Sequence, residues 1–379
     1  MLKKIALGLL LVLISGIGYG IYYVEKEFAG IGLPWNDAVD LPTLPTFSNV
    51  TTQLSANDEG EIFFPSHSPY DFSVLLTDFD NAPPSTGKGT LFFPDKTTFT
   101  APIPAMIILH GSGGLRPERE FAYARLFNEM GIAAFVLDYY SPRGVTEQHS
   151  YLQKTLTTSE TDIIVDAYAA LRLLGSHPLI DASKIGVTGY SYGGMATRYA
   201  LDSRIKRILA PDHPPFAAHA DFYGPCHQTL GDTQFERTRY LAVFGDSDNS
   251  VDPAQCAIVH QTLADHGVQV ETLMIANAGH AWENEQPRAL NNSPYINGCT
   301  MGFTKDDGTP LINEQPVSHA APGASREHRA YMRARIMMDA PECIGRGYII
   351  GQDSNADKMA KARLVEFLTD ALLAPSSSI

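Results

Sequence analysis

The sequence is poor in positive charge: 28 Lys and Arg stand against 42 Asp and Glu in 379 residues, for a net charge of -14. Nucleic-acid binders need clustered cations to displace counterions from phosphates, so a nucleic-acid partner is not expected. No repeat of fixed period runs along the chain, which excludes solenoids and propellers. Cysteine is scarce, with 4 in all and none in a CxxC; zinc-ribbon and thioredoxin chemistry fall away. What is present is a chain 44% hydrophobic and 10% aromatic, too apolar to be disordered and long enough for one large α/β domain or two ordinary ones.

The N-terminus has the form of an export element. Lys3 and Lys4 precede an uncharged run from Ile5 to Val24, which Glu25, Lys26 and Glu27 end. The run would just span the roughly 30 Å apolar core of a bilayer as a helix, while its denser part, Ile5 to Ile14, has the length of a signal-peptide apolar region. Residues 1–24 therefore read as a signal peptide, cleaved after Gly20, or as an anchor. In both cases the lysines keep the N-terminus cytoplasmic and the body faces the periplasm or the exterior. Cys226, Cys256, Cys299 and Cys343 agree with an oxidising compartment and allow three connectivities. The favoured set is Cys226 with Cys256 and Cys299 with Cys343.

Residues 25–60, rich in Pro, Thr, Ser and Asn without a period, read as a linker or irregular arm. Two runs, Phe72 to Leu76 and Gly89 to Pro94, have strand composition and predict an antiparallel start to a domain over 61–375. Strand-like and helix-like segments then alternate. The strands end at His110, Asp138, Tyr190, Gly224, Gly245 and Ala276, and helix-period segments stand between them and at the C-terminus. This alternation predicts an α/β fold, a mostly parallel twisted sheet flanked by helices. From Trp282 to Gly351 the pattern breaks into a long, polar, irregular stretch, taken as an insertion over about 283–351 beside the site and stapled by Cys299 and Cys343.

Ser191 sits in Gly189-Tyr190-Ser191-Tyr192-Gly193, a GxSxG directly between a predicted strand and a predicted helix. A tight strand-to-helix turn lifts a serine hydroxyl clear of the sheet, and small flanking residues let the backbone pass. A serine hydroxyl is a poor nucleophile and needs a base and an orienter, which in this architecture follow in the order acid, then His. Asp246, Asp248 and Asp252 follow one strand, and His280 follows the last. Asp248, three residues past the strand-ending Gly245, is the expected acid, with Asp246 second. The same run alternates acids like a calcium loop, but Val251 and Ala257 stand where such a loop needs Gly and Glu. Ahead of these, the His110 to Gly114 loop offers backbone N–H groups to an oxyanion, with Ser112 and Tyr192 as the expected donors. It has no G-x-G-x-x-G and no following Lys, so it is not a nucleotide loop. Tyr139, Tyr140, Tyr190 and Trp282 are candidate walls of an apolar pocket, and Arg143 is a candidate contact to a substrate carboxylate.

In their order, "HGSGGLRP", "VLDYYSPRG", "IGVTGYSYGG", "DFYGPC", "FGDSDNSVDPAQC" and "AGHAW" resemble the dienelactone hydrolase family of the α/β-hydrolase superfamily, from about Lys88 to the C-terminal helix. The resemblance implies an α/β-hydrolase fold with Ser191, Asp248 and His280 as triad, and it suggests that Cys226 and Cys256 face each other. Dienelactone hydrolases proper carry a cysteine nucleophile where this chain has Ser191, and the segment after Trp282 is a second departure. The expected function is serine-dependent cleavage of carboxylic esters or lactones, with a small-molecule substrate and no metal or organic cofactor. A peptidase or acyltransferase using the same residues is the alternative, and a tethered binding protein without catalysis is a third reading.

Overall fold

The computed structural model describes residues 38–95, 97, 99–229 and 234–374, together with positions 15, 16, 18 and 19. The expected export element, residues 1–24, thus lies outside the described residues apart from those isolated positions. Among the described residues no helix is long and apolar enough to cross a membrane.

The strands are β1 (Gly60–His67), β2 (Pro84–Phe92), β3 (Ile103–Leu109), β4 (Ala133–Leu137), β5 (Ile180–Tyr190), β6 (Ala218–Phe222), β7 (Gln228–Thr229), β8 (Arg239–Gly245) and β9 (Gln269–Ile275). All but β7 join one eight-stranded sheet in the order β1-β2-β4-β3-β5-β6-β8-β9. The pairs β1/β2 and β2/β4 are antiparallel and the rest are parallel. Every residue of β3 and β4 is buried, as a strand covered on both faces requires. Alternate residues of β3 serve opposite cores. Ile107 and Leu109 meet α4 (Glu160–Gly175) and α5 (Tyr192–Tyr199), while Met106 and Ile108 share a cluster with α2 (Glu120–Glu129), α7 (Pro253–Asp265) and α9 (Ser354–Leu368). The result is a three-layer helix, sheet, helix sandwich whose parallel strands all point their C-terminal ends to one edge.

Two expectations change. Phe72 to Leu76 is not a strand but part of the short helix α1 (Phe72–Thr77), started by Asp71, whose side chain accepts from Val74 N. Its buried Phe72 and Leu75 are three residues apart, a helical spacing. The strand that precedes β2 and pairs with it is β1, whose Pro65 sits on the sheet's outer strand, where a missing N–H costs no ladder bond. The stretch after Trp282 is also ordered rather than irregular. It contains the antiparallel pair β10 (Ala289–Ile296) and β14 (Ile344–Ile350), and a small sheet of β11 (Met301–Phe303), β12 (Pro310–Ile312) and β13 (Gln315–Pro316) joined to β7. It also forms the helix α8 (Arg326–Asp339), capped by Ser325. Its signals are short strands and an Arg-rich helix, which leave little apolar period to read. Upstream, Val39 and Leu54 of the arm are buried, and Val39 N donates to Glu327 O of α8 at 3.1 Å.

Both disulfides are formed, Cys226–Cys256 and Cys299–Cys343. The first ties the loop after β6 to α7, and the second closes the insertion between the end of β10 and the start of β14.

Candidate active site

The site is assembled at the C-terminal edge of the sheet, where β3, β5, β8 and β9 end. At the β5–α5 turn Ser191 takes φ 53 and ψ -110, a conformation that L residues rarely adopt. Two glycines make that turn possible. A Cβ on Gly189 would lie 2.1 Å from Gly193 O, and one on Gly193 would lie 2.4 Å from Leu109 O of β3. The Ser191 N–H donates to Phe222 O at 2.8 Å, which seats the turn against β6.

Ser191 Oγ lies 2.9 Å from His280 Nε2, and His280 Nδ1 lies 2.6 Å from Asp248 Oδ2. Asp248 has no exposed surface and His280 is 6% exposed. The other carboxylate oxygen, Asp248 Oδ1, accepts from Ser250 Oγ at 2.5 Å and from Ser250 N at 3.0 Å. This leaves Oδ2 for the imidazole. Asp246 turns away, its Oδ1 accepting from Asn277 N at 2.6 Å, and Asp252 caps α7 by accepting from Gln255 N at 3.2 Å. Of the three acids, Asp248 is the one set against the His280 ring. A serine hydrogen-bonded to an imidazole whose far nitrogen meets a buried carboxylate can pass its proton to the ring and become a nucleophile.

The His110 to Gly114 loop stands beside Ser191: a Cβ on Gly111 would lie 3.5 Å from Ser191 Cβ. Among the described residues the N–H groups of Ser112 and Tyr192 donate to no other group, which leaves both free for a ligand oxygen. Tyr140 Oη donates to Ser112 O at 3.2 Å and Arg119 to Gly114 O at 3.2 Å, fixing the loop from both flanks. Burial pushes His110 down to about 4, so its imidazole is neutral at physiological pH.

The expected pocket walls do not line an opening. Tyr139 and Tyr190 have no exposed surface, Trp282 has 1% and Tyr140 has 5%. Tyr139 stacks on His110 with ring centroids 3.6 Å apart and donates to His110 O. Tyr190 and Trp282 both pack against Phe222, under the site. Arg143, also fully buried, donates from Nη1 to Asp166 Oδ2 at 2.6 Å and from Nη2 to Oδ1 at 3.1 Å, with Asp162 3.9 Å away. It is a structural ion pair, and its fork is not open to a substrate.

The sequence reading missed several neighbours. Tyr223 packs beside His280 with centroids 4.7 Å apart and donates to Glu283 Oε2 at 2.7 Å. Burial raises Glu283 above the usual carboxylate range, against the pull of Arg119. From the insertion, Arg333 grips Glu160 through both carboxylate oxygens at 2.6 and 3.0 Å, and Glu160 in turn accepts from Tyr192 Oη at 3.3 Å. Burial works to raise Glu160, but Arg333 overrides it and the net shift is downward. These missed neighbours lie far apart in the chain, and of them only Tyr223 falls within a motif read from the sequence, "DFYGPC".

The sequence model of the dienelactone hydrolase family matches residues 88–298, more than half of the chain. A Saccharomyces cerevisiae protein named provisionally as a carboxymethylenebutenolidase is 32% identical over 167 residues, covering 37% of this chain and 58% of that protein. A Bradyrhizobium protein named provisionally as a 2-oxo-3-(5-oxofuran-2-ylidene)propanoate lactonase is 23% identical over 52% of this chain and 81% of its own length. Among solved structures, a dienelactone hydrolase-like promiscuous phosphotriesterase from metagenomic libraries aligns at 16% identity over 83% of this chain and 99% of that one, with a TM-score of 0.48. A propionate-bound esterase of Thermogutta terrifontis aligns at 16% identity over 52% of this chain and 80% of its own, with a TM-score of 0.41. The match from β2 through the strand end that carries His280 settles the lineage: the chain belongs to the dienelactone hydrolase family of the α/β-hydrolase superfamily.

Proposed function

We propose that the protein is a serine hydrolase that cleaves carboxylic esters or lactones through an acyl-enzyme on Ser191. The observation that carries this reading is the 2.9 Å approach of His280 Nε2 to Ser191 Oγ, with Asp248 behind the ring. In the first step Ser191 Oγ attacks the ester carbonyl carbon while its proton moves to His280 Nε2. Asp248 holds the imidazolium that forms, and the Ser112 and Tyr192 N–H groups take the oxyanion. Collapse breaks the carbon–oxygen bond to the leaving alcohol, which receives the proton from His280. Water then attacks the acyl carbon, gives its proton to His280 and releases the acid, which returns Ser191 to its hydroxyl form. In a lactone the leaving alcohol is part of the acyl chain itself, so the ring opens in the first step and the second step releases a single hydroxy acid.

Family membership supports hydrolysis, and the names of the two relatives above, a carboxymethylenebutenolidase and a lactonase, favour esters and lactones as the substrate class. The disulfides support an oxidising compartment, and we place the body outside the cytoplasm, delivered by residues 1–24. The test is turnover of short p-nitrophenyl esters, a simple lactone and a peptide anilide by the wild type and Ser191→Ala. Esters or the lactone should turn over, the anilide should not, and the variant should lose at least about a thousandfold. A variant rate within about tenfold of wild type sinks the proposal, and anilide cleavage moves it to a peptidase.

A further inference from the structure

The base-bearing loop is held by a part of the chain beyond the family match, which ends at residue 298. His280 N donates to Ile349 O at 2.7 Å, and Gly351 N donates to His280 O at 3.2 Å, so β14 of the insertion brackets the catalytic position as a short parallel bridge. The approach is close enough that a Cβ on Gly279 would lie 2.6 Å from Ile349 O. The acid loop is tied in as well, through Asn249 Nδ2 to Gly347 O at 3.3 Å. At the far end of the same ribbon, the Cys299–Cys343 disulfide joins the residue just before β14 to the chain just after β10.

This anchoring brings Tyr348 against the imidazole. Its ring centroid lies 5.4 Å from that of His280 at an interplanar angle of 79°. Tyr223 flanks the same ring with centroids 4.7 Å apart at 58°. Tyr348 is itself fixed by Tyr295, whose ring lies 5.9 Å away, and by Asn291 Nδ2, which donates to its hydroxyl at 3.1 Å. Burial, with Tyr151 and Asp248 nearby, raises its phenol above the ordinary value, so the ring stays neutral.

We propose that Tyr348 is a positioning residue for His280, holding the imidazole between its own edge-to-face ring and the tilted ring of Tyr223 so that Nε2 stays aimed at Ser191. The catalytic part of this inference rests on the serine-hydrolase reading. The physical reasons are two. Paired aromatic rings restrict the rotation of the imidazole about its side-chain bonds. When the ring takes the serine proton, the aromatic faces within about 6 Å attract the new positive charge. The insertion is then a working part of the site, because it supplies one of the two rings that set the geometry of the base.

The test uses the full chain and its Tyr348→Phe, Tyr348→Leu and Tyr348→Ala variants, read in two ways. On a p-nitrophenyl ester, Tyr348→Ala and Tyr348→Leu should lower kcat by about threefold to thirtyfold with KM changed less than about threefold, and Tyr348→Phe should recover the greater part. Independently of turnover, the imidazole carbon–proton signal of His280, assigned by its loss in His280→Ala, should shift and broaden in the Ala and Leu variants and return in Phe. An unaltered signal and a kcat within about twofold in Tyr348→Ala overturn the proposal. So does a Phe variant as impaired as Ala, which would give the role to the hydroxyl. If the wild type turns over no ester while the His280 signal responds to Tyr348→Ala and recovers in Phe, the ring contact stands and the serine-hydrolase reading fails.

Discussion

His280 Nδ1 meets Asp248 Oδ2 at 2.6 Å although 32 positions separate the two residues, because each leaves the same edge of the sheet at the end of adjacent parallel strands, β8 and β9. Ser250 completes the arrangement by occupying the other carboxylate oxygen. Asp248→Asn should therefore keep the fold and lower kcat by roughly a thousandfold to ten-thousandfold, since an amide in this position favours the wrong imidazole tautomer. Ser250→Ala should cost about tenfold, as the carboxylate gains freedom to turn, while Asp246→Asn should stay within about twofold of wild type. Steady-state kinetics on one ester checks all three, and a larger loss in Asp246→Asn than in Asp248→Asn would reassign the acid.

Gly193 has carbonyls on two sides: a Cβ there would lie 2.4 Å from Leu109 O and 2.6 Å from His110 O. Backbone cannot rotate away as a side chain does, so Gly193→Ala should push β3 and the His110 to Gly114 loop apart from the Ser191 turn. Denaturant unfolding should show a loss of about 2 kcal/mol or more. An Ala variant as stable and active as wild type would mean that the turn relaxes freely, contrary to the packing described.

Arg143 distinguishes structural from substrate electrostatics. Removing it, as in Arg143→Met, leaves the fully buried Asp166 and Asp162 without their cation, and breaking a buried pair in this way costs about 3–5 kcal/mol. The expected result is a large fall in Tm. A normal Tm with KM raised selectively for substrates that carry a carboxylate would instead assign Arg143 to binding.

The sheet was legible because its strands carry the marks of burial. The continuous apolar runs of β3 and β4 can lie only where helices cover both faces, and the Ser191 turn stands out because glycines at 189 and 193 flank the serine of a strand-to-helix junction. His280 could be placed because it follows β9, the last strand of the main sheet. Other features were not legible, for physical reasons. Phe72 to Leu76 is too short for its period to separate helix from strand, and tertiary packing of Phe72 on Phe303, 3.9 Å between centroids, helps decide it. Tyr139, Tyr190 and Trp282 lie at or after strand ends, where local sequence cannot tell an aromatic facing a cleft from one beneath it. Tyr348 reaches His280 through the fold of the insertion, a contact between distant residues that leaves no trace in either one's neighbourhood.

Glu283 offers a pH test. Burial raises its pKa in the folded protein above the ordinary 4.5, so the folded state holds this proton in a range where the unfolded chain has released it. The associated stabilisation is complete below the unfolded value and is lost as pH rises through the folded one. Glu283→Gln removes that dependence while keeping an acceptor for Tyr223. Its Tm should therefore improve relative to wild type as pH increases from about 4 to about 8. A Tm difference that is flat with pH, or that grows in the opposite direction, would contradict the burial argument.

The central claim, that Ser191 is an activated nucleophile, is tested most directly by treating the folded protein with a fluorophosphonate probe and mapping the modified peptide. Labelling is expected at Ser191, lost in Ser191→Ala and slowed by about a hundredfold or more in His280→Ala. Folded wild-type protein that remains unlabelled, or that carries the label on a different serine, would contradict it.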